Sequence, residues 1–268
     1  MIKGEHMKPD YKNWMPKGMI YTTLAITALF LALFIVFGLT GLVSGALKTV
    51  LFIVFLAGTV VGACVSFWMI MLYRAFSYNG KRKMSKQIID GIAEYVTIPD
   101  GGKGLDVGCG SGALAIAVAK RNPNANIVGL DRWGKEYASF NKSLCESNAK
   151  AEGVSNTSFR RGDATKLSFA DETFDAVMSN YVYHNILSND RQAILMETLR
   201  TLKKGGTFAI HDIFSKSRYG DMQAFVKKLK DMGYEKVELI DTTNGKFMSK
   251  SESVWMELSG SALLVGRK

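Results

Sequence analysis

Polar and apolar positions fall into two regimes along this chain. Residues 18–47 contain no charge, and residues 49–73 contain none either. Each run supplies the ~20 apolar residues that a membrane-spanning helix needs. Neither shows the polar face of a helix lying on a soluble protein. At ~1.5 Å per residue, positions 19–39 reach about 31 Å. The break at 38–46 is short and rich in glycine and other small residues, which predicts a tight turn between two helices. A cleaved signal peptide fits less well, because the second apolar run starts at once. The pattern predicts a stub at 1–18, a transmembrane hairpin at 19–73, a basic linker at 74–86 and a separate domain at 87–268.

Beyond residue 86 the pattern changes. A leading helix is predicted at 85–95. A strand then enters a glycine-rich turn within 104–112, and further strands are expected at 126–131, 157–160, 174–180, 207–210, 236–240 and 262–266. Helices are expected between them at 112–121, 135–152, 190–202 and 219–233. Such alternation predicts an α/β domain whose parallel sheet is covered on both faces. Ligands in such sheets bind beyond the C-terminal ends of the strands. Asp106, Asp131, Asp163 and Asn180 all fall at or just past such ends.

The stretch Gly104-Leu105-Asp106-Val107-Gly108-Cys109-Gly110-Ser111-Gly112 carries the most chemistry. Glycines at a strand-to-helix turn let the backbone approach a ligand closely, and the helix N-terminus behind them offers free N–H groups. Gly108, Gly110 and Ala113 also satisfy the dinucleotide fingerprint G-x-G-x-x-G/A. Gly112 tightens the spacing to D-x-G-x-G-x-G, which resembles motif I of the class I S-adenosylmethionine-dependent methyltransferases. Later segments follow that family's order. They are Asp131 after the second strand, Gly162-Asp163-Ala164 after the third, the fourth-strand segment 174–180, and the run 202–210, which resembles a helix end, a Gly-Gly turn and a fifth strand.

The resemblance implies a Rossmann-like, doubly wound sheet of seven strands with an antiparallel last strand. It implies S-adenosylmethionine as cofactor, held by Asp106, Gly108, Gly110, Gly112, Asp131, Arg132, Trp133, Asp163, Ala164 and Asn180. It places the acceptor beside Asn180-Tyr181-Val182-Tyr183-His184. His184 is a candidate general base, with His211 at the fifth strand's end as a second candidate and Tyr181 as a residue that fences the acceptor. The (Asp/Asn/Ser)-Pro-Pro-(Tyr/Phe) motif of DNA amino-group methyltransferases is missing from this segment.

Charge sharpens the assignment. The net charge of +10 is unevenly divided: residues 1–86 carry a net +8 and residues 87–268 only +2. The basic excess flanks the hairpin, where it suits anionic headgroups better than nucleic acid. Lys3, Lys8, Lys12 and Lys17 precede the first run, Arg74, Lys81, Arg82, Lys83 and Lys86 follow the second, and the turn offers only Lys48. The positive-inside rule then puts both termini in the cytoplasm and the protein in the cell membrane as a multi-pass chain. Three cysteines and three histidines show no metal-ligand spacing, so no metal is expected.

The expected function is methyl transfer to a small or lipid-like acceptor at the membrane face. Gly41-x-x-x-Gly45 and Gly58-x-x-x-Gly62 allow close helix approach and offer a route to a homo-oligomer through the hairpin. Two alternatives stand beside this reading. An NAD-binding oxidoreductase would need a Tyr-x-x-x-Lys pair, but Tyr137 is followed by Asn141 and Tyr181 by Asn185. A non-enzymatic membrane protein retaining the cofactor fold would have little use for intact Asp106, Asp131 and Asp163.

Overall fold

The computed structural model describes residues 8–134 and 138–268. The chain forms two compact units. One is Asn13–Ser85; the other joins the described residues through Lys12 to Lys86–Lys268.

The first unit is a pair of apolar helices. Helix α1, Lys17–Leu33, continues into a π-helical turn, Phe34–Leu39, and α2 spans Gly45–Phe76. Both are long and apolar enough to cross a membrane. They pack through aromatic rings, with Phe34 and Phe52 centroids 5.1 Å apart and Phe30 and Phe55 6.2 Å apart. The glycines of α2 allow the approach. A Cβ at Gly58 would lie 2.1 Å from the Phe30 ring, and one at Gly62 would lie 2.5 Å from the Thr27 hydroxyl. The Gly58–Gly62 stripe therefore serves packing inside the hairpin.

The second unit is a seven-stranded sheet in the order β3-β2-β1-β4-β5-β7-β6. Its strands are β1 Lys103–Val107, β2 Asn126–Asp131, β3 Thr157–Arg161, β4 Phe174–Asn180, β5 Leu202–Ile213, β6 Glu235–Asp241 and β7 Ser261–Arg267. All neighbours from β3 to β5 are parallel, and β7 runs antiparallel to both β5 and β6. The strand order reverses between β1 and β4, and a ligand crevice is expected at that reversal. Leu105, Val107, Val177, Phe208 and Leu264 are buried in the core. Consecutive residues of β1 and β4 are buried, as expected of strands with both faces covered.

Helices α3 Met84–Ala93, α4 Ala113–Arg121, α5 Lys142–Ala151, α6 Arg191–Arg200, α7 Lys216–Tyr219, α8 Met222–Asp231 and α9 Lys250–Trp255 complete the chain. Several bounds differ from those expected. The helix expected at 135–152 starts only at Lys142, where Asn141 caps it by accepting the Leu144 N–H; residues 135–137 lie outside the described residues. The helix expected at 219–233 starts at Met222, after the short α7. Gly220, at φ +69°, separates the two, and Asp221 caps α8 by accepting the Gln223 and Ala224 N–H groups. The fifth strand begins at Leu202 rather than 207, because Leu202 pairs with Phe174 and a bulge absorbs Gly205-Gly206. The loop at 241–257 contains α9, opened by a capping box of Ser249 and Glu252.

Candidate active site

The site grows from the end of β1. Gly108, Gly110 and Gly112 have φ of +75°, +54° and +83°, a region L-residues with side chains avoid. Their environments differ. A Cβ at Gly108 would meet Val182 at 2.3 Å and one at Gly112 would meet Phe159 at 3.1 Å, whereas one at Gly110 would have its nearest neighbour, Phe140, at 3.6 Å. Gly108 and Gly112 are thus required by packing. At Gly110 a Cβ would sit at ordinary contact distance from Phe140, so the positive φ rather than a collision calls for glycine there.

Carboxylates surround this turn. Asp106 is buried, and its Oδ2 accepts the Ala115 N–H at 3.0 Å, pinning the first turn of α4. Its Oδ1 is buried with no hydrogen-bond partner. Burial raises its pKa to about 8, against the lowering effect of the Ala115 bond. Asp131, at the end of β2, accepts the Gly110 N–H at 2.8 Å and the Trp133 N–H at 2.7 Å. The Trp133 indole N–H returns to the Gly110 carbonyl at 2.9 Å, and the Cys145 thiol donates to the same oxygen at 3.2 Å. Trp133 adopts a φ of +46° to do so. Arg132 is exposed and Ala164 packs against the core beyond β3. Asp163 is exposed; the backbone N–H and then the hydroxyl of Thr165 bond its Oδ1 and hold it below the usual carboxylate range.

A second group assembles at the ends of β4 and β5. Asn180 pairs in register with His211. The His211 ring lies 2.9 Å from the Asn180 amide and 3.0 Å from the Thr242 hydroxyl, and burial pushes its pKa down to about 3. Tyr181 follows with a φ of +54°. Its hydroxyl is 2.7 Å from the Ser261 hydroxyl and its ring centroid 4.6 Å from that of His211. Burial also raises the Tyr181 hydroxyl pKa. His184 sits in the 3₁₀ turn Tyr183–Asn185, its Nδ1 2.6 Å from Asp212 Oδ1.

The two groups adjoin at the strand-order reversal. Val182 packs on the glycine turn, and the Ser179 hydroxyl donates to the Val107 carbonyl at 2.8 Å. His211, the second candidate base, is followed on β5 by Asp212. Successive strand residues face opposite sides of a sheet, and here His211 goes to Asn180 while Asp212 goes to His184. Asp212 as the partner of His184 was missed. The signal lay in the pairing of β4 with β5, which brings Asp212 beside the segment that follows Asn180.

Comparison with known proteins fits this geometry. Residues 98–258 match the family described as methyltransferase domain. An arsenite methyltransferase of Aquipseudomonas alcaligenes is 34% identical over 126 residues, 46% of this chain and 36% of that protein. A sterol 24-C-methyltransferase of Aspergillus fumigatus is 33% identical over 122 residues, 45% of this chain and 30% of that protein. A demethylmenaquinone methyltransferase of Bacillus subtilis is 30% identical over 137 residues, 51% of this chain and 56% of that protein. The chain thus spans only about a third to a half of the length of these relatives. Among solved structures, a geranyl diphosphate methyltransferase shares the fold at TM-score 0.54 and 12% identity, covering 73% of this chain and 82% of that one. The [4+2]-cyclase SpnF does so at TM-score 0.53 and 20% identity, covering 72% and 85%. The family match takes in more than half of the chain and runs through every strand-end residue from Asp106 to Asp212, so the chain belongs to the methyltransferase domain family, whose methyl donor is S-adenosylmethionine.

Proposed function

We propose that this chain is a membrane-anchored methyltransferase that moves a methyl group from S-adenosylmethionine to a small, lipid-like acceptor at the cytoplasmic membrane face. The reading is carried by the adjacency of the glycine turn and the Asn180–His184 segment, joined through Val182 on Gly108. The chain's residues fit the donor. The orphaned Oδ1 of Asp106 can accept from a cationic amino-acid group, Asp131 can take ribose hydroxyls, and Asp163 with Ala164 borders the adenine end. Gly108, Gly110 and Gly112 keep the backbone close to the ligand, while Arg132, Trp133 and Asn180 close the rim. When bound, the donor supplies a methyl group on a sulfonium, already an excellent leaving group. The protein's work is then to align the acceptor, exclude water and, where needed, remove a proton.

The candidate bases separate on geometry. His211 has both ring nitrogens engaged inside the fold and is neutral across the physiological range, so its role is to hold Asn180. Tyr181 borders the acceptor, and its backbone strain is of the kind that gathers at working sites. His184 remains as the group able to take a proton.

Anchoring rests on α1 and α2, whose outer apolar side chains, such as Leu29, Ile53 and Val61, are exposed, and on the basic flanks, which favour both termini in the cytoplasm. The names of the sterol and demethylmenaquinone relatives favour a hydrophobic acceptor. Membranes containing the full chain, given methyl-labelled donor, should place the label in the organic extract. Label confined to protein would remove the small-acceptor reading.

A further inference from the structure

Resting on the methyltransferase reading, we propose that Asp212 is a positioning residue that makes His184 a base at Nε2, and that the acceptor atom is a hydroxyl oxygen, as in a phenol or hydroquinone.

Asp212 is fully buried on β5. Its Oδ2 accepts the backbone N–H groups of Tyr183 at 2.9 Å and His184 at 3.3 Å. Its Oδ1 accepts the Ile213 N–H at 2.7 Å and meets His184 Nδ1 at 2.6 Å. One carboxylate thus clamps both the backbone and the ring of His184. A carboxylate only accepts, so the proton of this short contact sits on Nδ1. Nε2 is left with its lone pair, and it makes no hydrogen bond among the described residues. The His184 side chain keeps 14% of its surface exposed while that of Asp212 keeps none, so the ring is partly accessible and its support is sealed. Nucleophile-activating bases elsewhere are oriented by a third group in the same way.

This arrangement selects a class of acceptor. A neutral amine attacks a sulfonium unaided and loses its proton afterwards, and a thiol ionises readily in water. A hydroxyl is a poor nucleophile until its proton leaves, so it gains from a fixed base; methylation at a ring carbon draws on the same deprotonation and is the outcome that the ether test would reveal. In the step, the acceptor O–H proton passes to His184 Nε2 while the oxygen bonds to the methyl carbon. The S–CH3 bond breaks with its electron pair kept by sulfur, and the imidazolium later returns its proton to water.

Two measurements test this. The chain has three histidines, so 15N-histidine NMR of the full chain in detergent is resolvable. The wild type should show an Nδ1–H tautomer that vanishes in His184→Gln and shifts toward Nε2–H in Asp212→Asn. An Nε2–H tautomer at His184 in the wild type would overturn the proposal. Should Asp212→Asn fail to fold, His184→Ala decides: added imidazole should restore labelling of the organic extract at least tenfold, and no restoration would count against the base. Hydriodic acid should release the extracted label as methyl iodide, as it does from methyl ethers; label retained on carbon would sink the hydroxyl assignment. Loss of wild-type S-adenosylmethionine binding in calorimetry would instead sink the methyltransferase reading itself.

Discussion

At the scale of single residues, the glycine turn separates two reasons for having no side chain. Gly108 and Gly110 both need positive φ, which disfavours any L-residue by about 1–2 kcal/mol. Only Gly108 also faces a collision, with Val182 at 2.3 Å, whereas Gly110 has 3.6 Å to Phe140. Gly108→Ala should therefore destabilise the fold by roughly 2–4 kcal/mol, backbone strain plus overpacking. Gly110→Ala should lose only about 1–2 kcal/mol of stability, since its methyl group would meet Phe140 at ordinary contact distance, yet weaken S-adenosylmethionine binding at least tenfold by blocking the approach to this backbone. Thermal melting and calorimetry on the two variants separate these effects. Equal affinities for wild type and Gly110→Ala would show that the ligand does not approach this backbone. The glycines, Asp106 and Asp131 were legible in the sequence because a turn that needs positive φ at alternate positions has few alternatives to glycine. Asp212 was not, because its meaning depends on which face of β5 it occupies and on a neighbour 28 positions earlier.

At the scale of elements, the strands were easier to read than the helices. A central strand covered on both faces tends to write a continuous apolar run; 127–130 of β2 and 176–178 of β4 do so, whereas β1 buries Asp106 between Leu105 and Val107. Helix ends are set by single caps: Asn141 starts α5 at Lys142, seven residues inside the expected segment, and Asp221 starts α8 at Met222, three residues inside. The hairpin was legible as two uncharged runs, but the partner of its glycine stripe was not. Gly58 and Gly62 lie against Phe30 and Thr27 of the same chain, and Thr27 Oγ1 is 3.2 Å from Ser66 Oγ. Small residues that admit a neighbouring helix lose that function when enlarged. With Cys64 replaced by Ser, the pair Thr27→Cys and Ser66→Cys should form an intramolecular disulfide in membranes. Adding Gly62→Val should reduce the cross-linked fraction several-fold. Undiminished cross-linking would mean that the stripe does not hold α1 against α2.

At the scale of the whole molecule, two buried groups set opposing pH limits on the catalytic unit. His211 is pushed down to about 3 by burial, whereas an unfolded histidine titrates near 6.5. Below ~6.5 the unfolded chain binds a proton that the native state refuses, so stability falls as pH drops, at up to ~1.4 kcal/mol per unit. Asp106 is pushed up to about 8 by burial. Above ~4 the native state keeps a proton that the unfolded chain gives up, so this group lowers stability as pH rises toward its folded value. Between about 4 and 6.5 the two contributions cancel. Above 6.5 Asp106 acts alone, and melting temperature should fall until about pH 8, then level. Asp106→Asn should flatten that alkaline limb, and His211→Gln should expose a decline beginning lower, near pH 4. Saturating S-adenosylmethionine should also flatten the alkaline limb, because a cationic ligand beside the unpartnered Oδ1 favours the ionised carboxylate. The comparison is a set of melting curves for the full chain in detergent from pH 4 to 9, with and without the donor. An alkaline limb that persists in Asp106→Asn would assign the decline to other groups. One that persists in the wild type under saturating donor would place the cofactor's positive charge away from Asp106.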